Sequence, residues 1–168
     1  HQGRLEGLSL HTGVFTNLTR DHLDYHVTAQ DYAEAKLALF RQFDLRQAVF
    51  NADDPVARQV AGITTGSAIG VSLEGGSGDV HVSVRSNRPM VLEIAGPWGS
   101  EEVEVGLSGR FNAFNVAAAI VTAVGLGFGF YDACAAASGL QPVAGRMERL
   151  LTPGGRLWWW IMPIHPML

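Results

Sequence analysis

Cysteine occurs once in these 168 residues, lysine occurs once, and no uninterrupted apolar stretch reaches the roughly 18 residues that a membrane span needs. The lone Cys134 excludes an internal disulfide and suits a reducing compartment, the cytoplasm. In its Ala-rich surroundings it reads as a small buried apolar residue. The amino-terminal HQGRLEGLSL has neither an initiator Met nor the basic-then-apolar pattern of a signal peptide, so the chain reads as beginning inside a longer protein. Basic runs are missing as well. With a formal charge of -4 and 17% charged residues, nothing favours nucleic acid or an anionic membrane, and small molecules are the expected partners. Internal repeats and low-complexity linkers are absent, and the length suits one domain with a sizeable core. A phosphate-binding loop of the form GxxxxGK[ST] needs a lysine after glycine. The only lysine, Lys36, stands in Glu-Ala-Lys-Leu, so the chain carries no such loop.

The residues that are present predict an α/β fold. TGVFTNL reads as a buried strand and TAQDYAEAKLALFRQF as the helix after it. Thr28 is its N-cap, Asp31 stands where a capping box has Glu, and Tyr32, Lys36, Leu39, Phe40 and Phe43 share one face. QAVFNAD is a second apolar strand, and the turn Asn-Ala-Asp-Asp-Pro leads into a helix over DPVARQVAG. Strand and helix alternating at this spacing imply a mainly parallel sheet with flanking helices. DVHVSVRS, MVLEIAG and EEVEVGLSG then alternate apolar and polar with period two, which predicts an antiparallel β-meander. FNAFNVAAAIVTAVGLG has almost no polar face and reads as a helix buried on most sides. YDACAAASGL is a shorter helix, and QPVAGRMERL returns through a Gly-Arg turn to a final strand.

Polar residues concentrate in FTNLTRDHLDYH, directly after an apolar strand, where open α/β sheets place ligands. These residues read either as a solvated, helix-capping loop or as a site in which His22, with Asp21 or Asp24, holds a hard cation or a phosphate. Lys36 lies four residues from both Tyr32 and Phe40. It either snorkels to solvent or faces an internal polar site, where a neutral amine can add carbon dioxide and become a carbamate, an anionic oxygen ligand for Mg²⁺. Asn112 and Asn115 share one side of a helix start. N-capping accounts for Asn112 and leaves Asn115 unexplained. Arg146, in a glycine-preceded turn, is either a surface residue or a bidentate phosphate ligand.

At VFTNLTRDHLDYH with YAEAK, NADD, LSGRFNAFNVAAA and LQPVAGRMERL the sequence resembles the Mur ligases, most closely the MurE type, over about residues 2 to 157. The resemblance implies part of that family's central ATP-binding domain and a role in an ATP- and Mg²⁺-dependent ligase of peptidoglycan synthesis. Such ligases phosphorylate the carboxylate of UDP-MurNAc-L-Ala-D-Glu to an acyl phosphate, which the amine of a diamino acid, meso-diaminopimelate or L-lysine, then attacks. It further implies that Lys36, as a carbamate, and His22 hold Mg²⁺, that Gln2 and Arg4 contact the UDP-muramoyl substrate, that Asn112 and Asn115 lie near the adenine, and that Arg146 lies near the phosphates. The expected chain does not ligate alone. The alternatives are a binding remnant for nucleotide or UDP-sugar and a ligase like folylpolyglutamate synthetase.

The last residues, WWWIMPIHPML, fit neither an interfacial anchor, since they lack a basic flank and contain two prolines, nor an ordinary core strand. Back-translated and read one base earlier, with a G in front, they encode Val-Val-Val-Asp-x-Ala. This matches the strand that follows the GRMERL segment in MurE relatives. The expectation is that residues 158–168 are a frameshifted, non-native tail.

Overall fold

The computed structural model describes residues 7–18 and 28–142, together with the backbone of 146–151 and 157–161. Strand β1 (Thr12–Phe15) precedes helix α1 (Ala29–Gln42), which leads to strand β2 (Gln47–Asn51). A 3₁₀ turn, Ala57–Gln59, runs into the short α2 (Val60–Ile63) and then β3 (Ser67–Ser72). Strands β4 (Val80–Asn87), β5 (Met90–Gly96) and β6 (Gly99–Val105) follow, then helices α3 (Arg110–Gly125) and α4 (Phe130–Ala137). Strands β7 (Arg146–Leu151) and β8 (Leu157–Ile161) pair antiparallel as a separate two-stranded sheet, with Leu150 opposite Trp158.

The first six strands form one sheet in chain order. β1 to β4 run parallel, and β4 to β6 close the sheet as an antiparallel meander. The expected fold class therefore holds, and the meander continues the parallel sheet without a break: β3 and β4 meet at Val71 with Val80 and at Ser72 with His81. β3 itself is the element the apolar pattern does not predict.

The sheet is covered on both faces. On one side Phe15, Leu37, Phe40, Leu45, Ala48, Phe50 and Val60 bury together under α1 and α2. On the other, Val49, Val71, Leu92, Ile94, Phe114, Val116, Ile120 and Val121 form the core beneath α3 and α4. β2 sits between these layers, sending Ala48 and Phe50 to one and Val49 to the other. That two-sided burial explains its unbroken apolar run. Each large side chain so buried contributes about 1.5–3 kcal/mol relative to exposure. The buried amide of Gln47 is satisfied within this core. Its Nε2 donates to the Val121 carbonyl (3.1 Å), and its Oε1 accepts from the Thr12 hydroxyl (3.3 Å).

Three local expectations need correction. The buried stripe of α1 is Ala33, Leu37 and Phe40. Tyr32, Lys36, Leu39 and Phe43 flank it half-buried, so the buried face lies about one residue round from the expected one. Helix α3 is capped by Gly109, at φ 94°, and not by Asn112, which lies within its first turn. Arg146 begins strand β7 instead of sitting in a turn. Among the described residues, no helix is long and apolar enough to cross a membrane.

Candidate functional site

In a parallel sheet the strands' carboxyl ends share one edge, and in this chain two adjacent carboxylates tie three of those ends together. Asp54, just past β2, accepts the Leu18 backbone N–H beyond β1 through Oδ2 (2.9 Å). Its Oδ1 caps the following turn by accepting from Val56 (2.8 Å) and Ala57 (3.0 Å). Asp53 reaches the other way. It accepts from the Ser72 hydroxyl (2.6 Å) and the Leu73 N–H (2.7 Å) at the end of β3. Ser72 Oγ in turn accepts the N–H groups of Gly76 (3.1 Å) and Glu74 (3.3 Å), which folds the glycine-rich loop before β4 back on the strand. The sequence pattern reads Asn-Ala-Asp-Asp-Pro as a turn into a helix and, in NADD, as part of the family resemblance, without a role for the two acids. Two acids immediately after an apolar strand are the signal that would have found this stitching.

Lys36 reaches this edge from α1. The helix starts where the Thr28 hydroxyl accepts the Asp31 N–H (3.1 Å) and donates to the Asp31 carboxylate (2.8 Å), a variant of the expected capping arrangement. Two turns later the Lys36 ammonium donates to the carbonyl of Asn17 (2.8 Å), two residues past β1. It lies 4.9 Å from the centroid of the Tyr32 ring and 5.5 Å from that of Phe15. The side chain is half-buried, at the rim of the α1 layer rather than inside it.

On the opposite face of β1, an open cleft of about 440 Å³ runs along α3, lined among others by Val14, Thr16, Asn115, Ala118, Thr122 and Phe128. Thr16 precedes Asn17, so Lys36 and the cleft flank the end of β1 from its two sides. At the start of α3 the Asn112 amide donates to the Ser108 carbonyl (2.7 Å), and the exposed Asn115 donates to Asn112 Oδ1 (3.4 Å). Arg110 pairs with Glu74 (3.2 Å), which links this helix start to the loop held by Ser72 and Asp53. The structure thus brings Asn112 and Asn115 together and sets Lys36 across β1 from the cleft. Gln2, Arg4 and His22 lie outside the described residues, as does the side chain of Arg146.

Among the described residues no group of three or more His, Cys, Asp or Glu side chains could hold a metal. Asp53 and Asp54 are committed to backbone and hydroxyl donors. The thiol takes no part either: Cys134 is buried in α4 and pushed up to about 11, first by burial and then by the Glu101 carboxylate.

Comparison with known proteins adds independent findings. The family model of the Mur ligase middle domain matches residues 1–123. UDP-N-acetylmuramoyl-L-alanyl-D-glutamate--2,6-diaminopimelate ligase of Vibrio parahaemolyticus is 43% identical over 152 residues, covering 88% of this chain and 31% of the relative. The ligase of the same name from Chromobacterium violaceum is 42% identical over 150 residues, with 88% and 30% covered. A solved structure of a UDP-N-acetylmuramoyl-L-alanyl-D-glutamate--2,6-diaminopimelate ligase superposes with a TM-score of 0.80 at 33% identity, covering 89% of this chain and 32% of that one. The chain therefore spans about 30% of the length of the curated relatives it matches.

Proposed function

This chain belongs to the Mur ligase family, and we propose that it supplies part of the nucleotide and metal surface of a cytoplasmic ligase that joins a diamino acid to UDP-MurNAc-L-Ala-D-Glu. The curated relatives' names favour 2,6-diaminopimelate over L-lysine as that diamino acid. The observation that carries the reading is the placement of the sole lysine at the carboxyl end of β1, with the Asn115-lined cleft on the strand's other face.

ATP, when bound, would supply the phosphoryl group that activates the substrate carboxylate as an acyl phosphate, and Mg²⁺ would offset the charge that develops on transfer. The donor set proposed for Mg²⁺ is mainly one of oxygens, as a hard cation requires. A carbamate on Lys36 presents anionic oxygens, and the carbonyl of Asn17, which Lys36 already touches, is a further oxygen donor. His22 completes this proposal as a metal ligand, and Arg146 as a phosphate ligand. Asn115 and Asn112 orient the adenine through side-chain amides that their mutual hydrogen bond holds in place. Gln2 and Arg4 bind the UDP-muramoyl end of the substrate. Asp53 and Asp54 position the strand ends on which that ligand surface is built.

We assign residues 1–157 to the central domain, without a phosphate-binding loop of their own, and residues 158–168 to a shifted reading frame. The support for the second assignment is the Val-Val-Val-Asp that the genetic code forces in the other frame, and resequencing with intact Trp codons would sink it. Titration calorimetry of the purified chain tests the functional assignment. ATP with Mg²⁺ is expected to bind and Asn115→Ala to weaken it, with no ligation by the chain alone. A folded chain that binds neither ATP nor UDP-MurNAc-dipeptide counts against the reading, and turnover by these 168 residues overturns the expected inactivity.

A further inference from the structure

Helix α3 runs opposite to the strands it covers. It starts where Arg110 pairs with Glu74, just past the end of β3, and it finishes over Gln47, the first residue of β2. Val49 and Val71 of the sheet and Val116, Ala117 and Ile120 of the helix hold the two layers together, and burial of this kind is non-directional. A hydrogen bond does have a direction. The Gln47 amide is 3% exposed; its Nε2 donates to the Val121 carbonyl (3.1 Å) and its Oε1 accepts from the Thr12 hydroxyl (3.3 Å), so the starts of β1 and β2 and the end of α3 are pinned together. We propose that Gln47 is a positioning residue for the nucleotide cleft: by pinning the far end of α3 it sets where Asn112 and Asn115 stand at the near end. The inference rests on reading those two amides as adenine ligands.

Geometry and sequence both support this role. Asn115 lies six residues before Val121, about 9 Å along the same rigid rod at 1.5 Å per residue, so an axial shift at one is carried to the other. Gly125 stands one turn beyond Val121 and faces the same amide. A Cβ there would lie 2.1 Å from Gln47 Oε1 and 2.2 Å from Nε2. Alanine is the better helix former, so glycine at this exposed position gives up helix propensity and leaves the amide its room. Gln47 itself sits at the opposite end of β2 from the carboxyl edge, and it acts through α3.

Gln47→Met keeps the side chain's length and removes the amide, and Gly125→Ala drives the amide away from the helix side. Each is compared with wild type by thermal melting, by ¹⁵N NMR of the side-chain amides, and by titration calorimetry with ATP and Mg²⁺. Both variants should move the Asn112 and Asn115 side-chain signals, leave that of Asn87 at the end of β4 in place, and weaken ATP binding about three- to tenfold. A Gln47 that only stabilised the fold would lower the melting temperature without moving the two asparagines. Asn112 and Asn115 signals at their wild-type positions in the folded variants therefore overturn the positioning. Moved signals with undiminished ATP binding overturn the link to the cleft and leave the nucleotide reading intact. No ATP binding by folded wild type overturns that reading and, with it, the inference. Should Gln47→Met not fold, Gly125→Ala, altered at an exposed position, carries the same comparisons.

Discussion

At the scale of single residues, the carboxylates of Asp53 and Asp54 matter for what they hold. Asp54 satisfies three backbone N–H groups from two segments. Asp54→Ala is therefore expected to destabilise the fold by about 1–2 kcal/mol, as loss of a helix cap does, and Asp54→Asn by less. The urea midpoint of each variant measures this. Cys134 gives a pH-dependent prediction. Its thiol rises from 9.0 to about 11 on folding, because burial and Glu101 disfavour the thiolate. The folded-state value lies above the unfolded one, so the associated stability is complete below pH 9 and is lost as pH rises through 11. The stability difference between wild type and Cys134→Ala should stay flat up to about pH 9 and then shift against wild type. Denaturation curves of the pair across that range check it, and a flat difference to pH 11 contradicts the assignment.

At the scale of elements, α1 owes its start to Thr28. Thr28→Ala should cost about 1 kcal/mol, and Thr28→Asn should restore most of it in thermal melts. This helix was legible in the sequence because cap, period and length agree. β2 was legible from its apolar run, the meander from its apolar period, and α3 from its length and apolar composition, though not its cap. β3 was not: Ser-Ala-Ile-Gly-Val-Ser is short and broken by small residues, and it extends because β2 and β4 pair it from both sides. Its packing also depends on what is missing from Gly66, where an added Cβ runs into the carbonyls of Leu45 and Arg46. Lys36 stood out as a site residue because it is the chain's only lysine. The stitching by Asp53 and Asp54 stayed hidden, because a local turn already accounted for both residues and their long-range partners belong to β3 and to the segment after β1.

At the scale of the molecule, the two edges of the sheet differ in kind. The outer strand β6 exposes Glu101, Glu102 and Glu104, charges that discourage another strand from pairing with it. β1, at the other edge, has the uncharged sequence Thr-Gly-Val-Phe, and Val14 is 43% exposed toward the cleft beside α3. Helix α3 is apolar nearly all round, yet Asn115, Ala119 and Leu126 leave one flank open there. The chain as it stands should therefore associate through β1 as concentration rises, and Val14→Lys should suppress this in sedimentation velocity; equal association by the variant would place the contact elsewhere. The stitched carboxyl edge has a different consequence. Leu18, Asn51 to Asp54 and Ser72 are already joined in one hydrogen-bonded rail, so a ligand spanning β1 to β3 meets a preorganised surface and loses little affinity to ordering it.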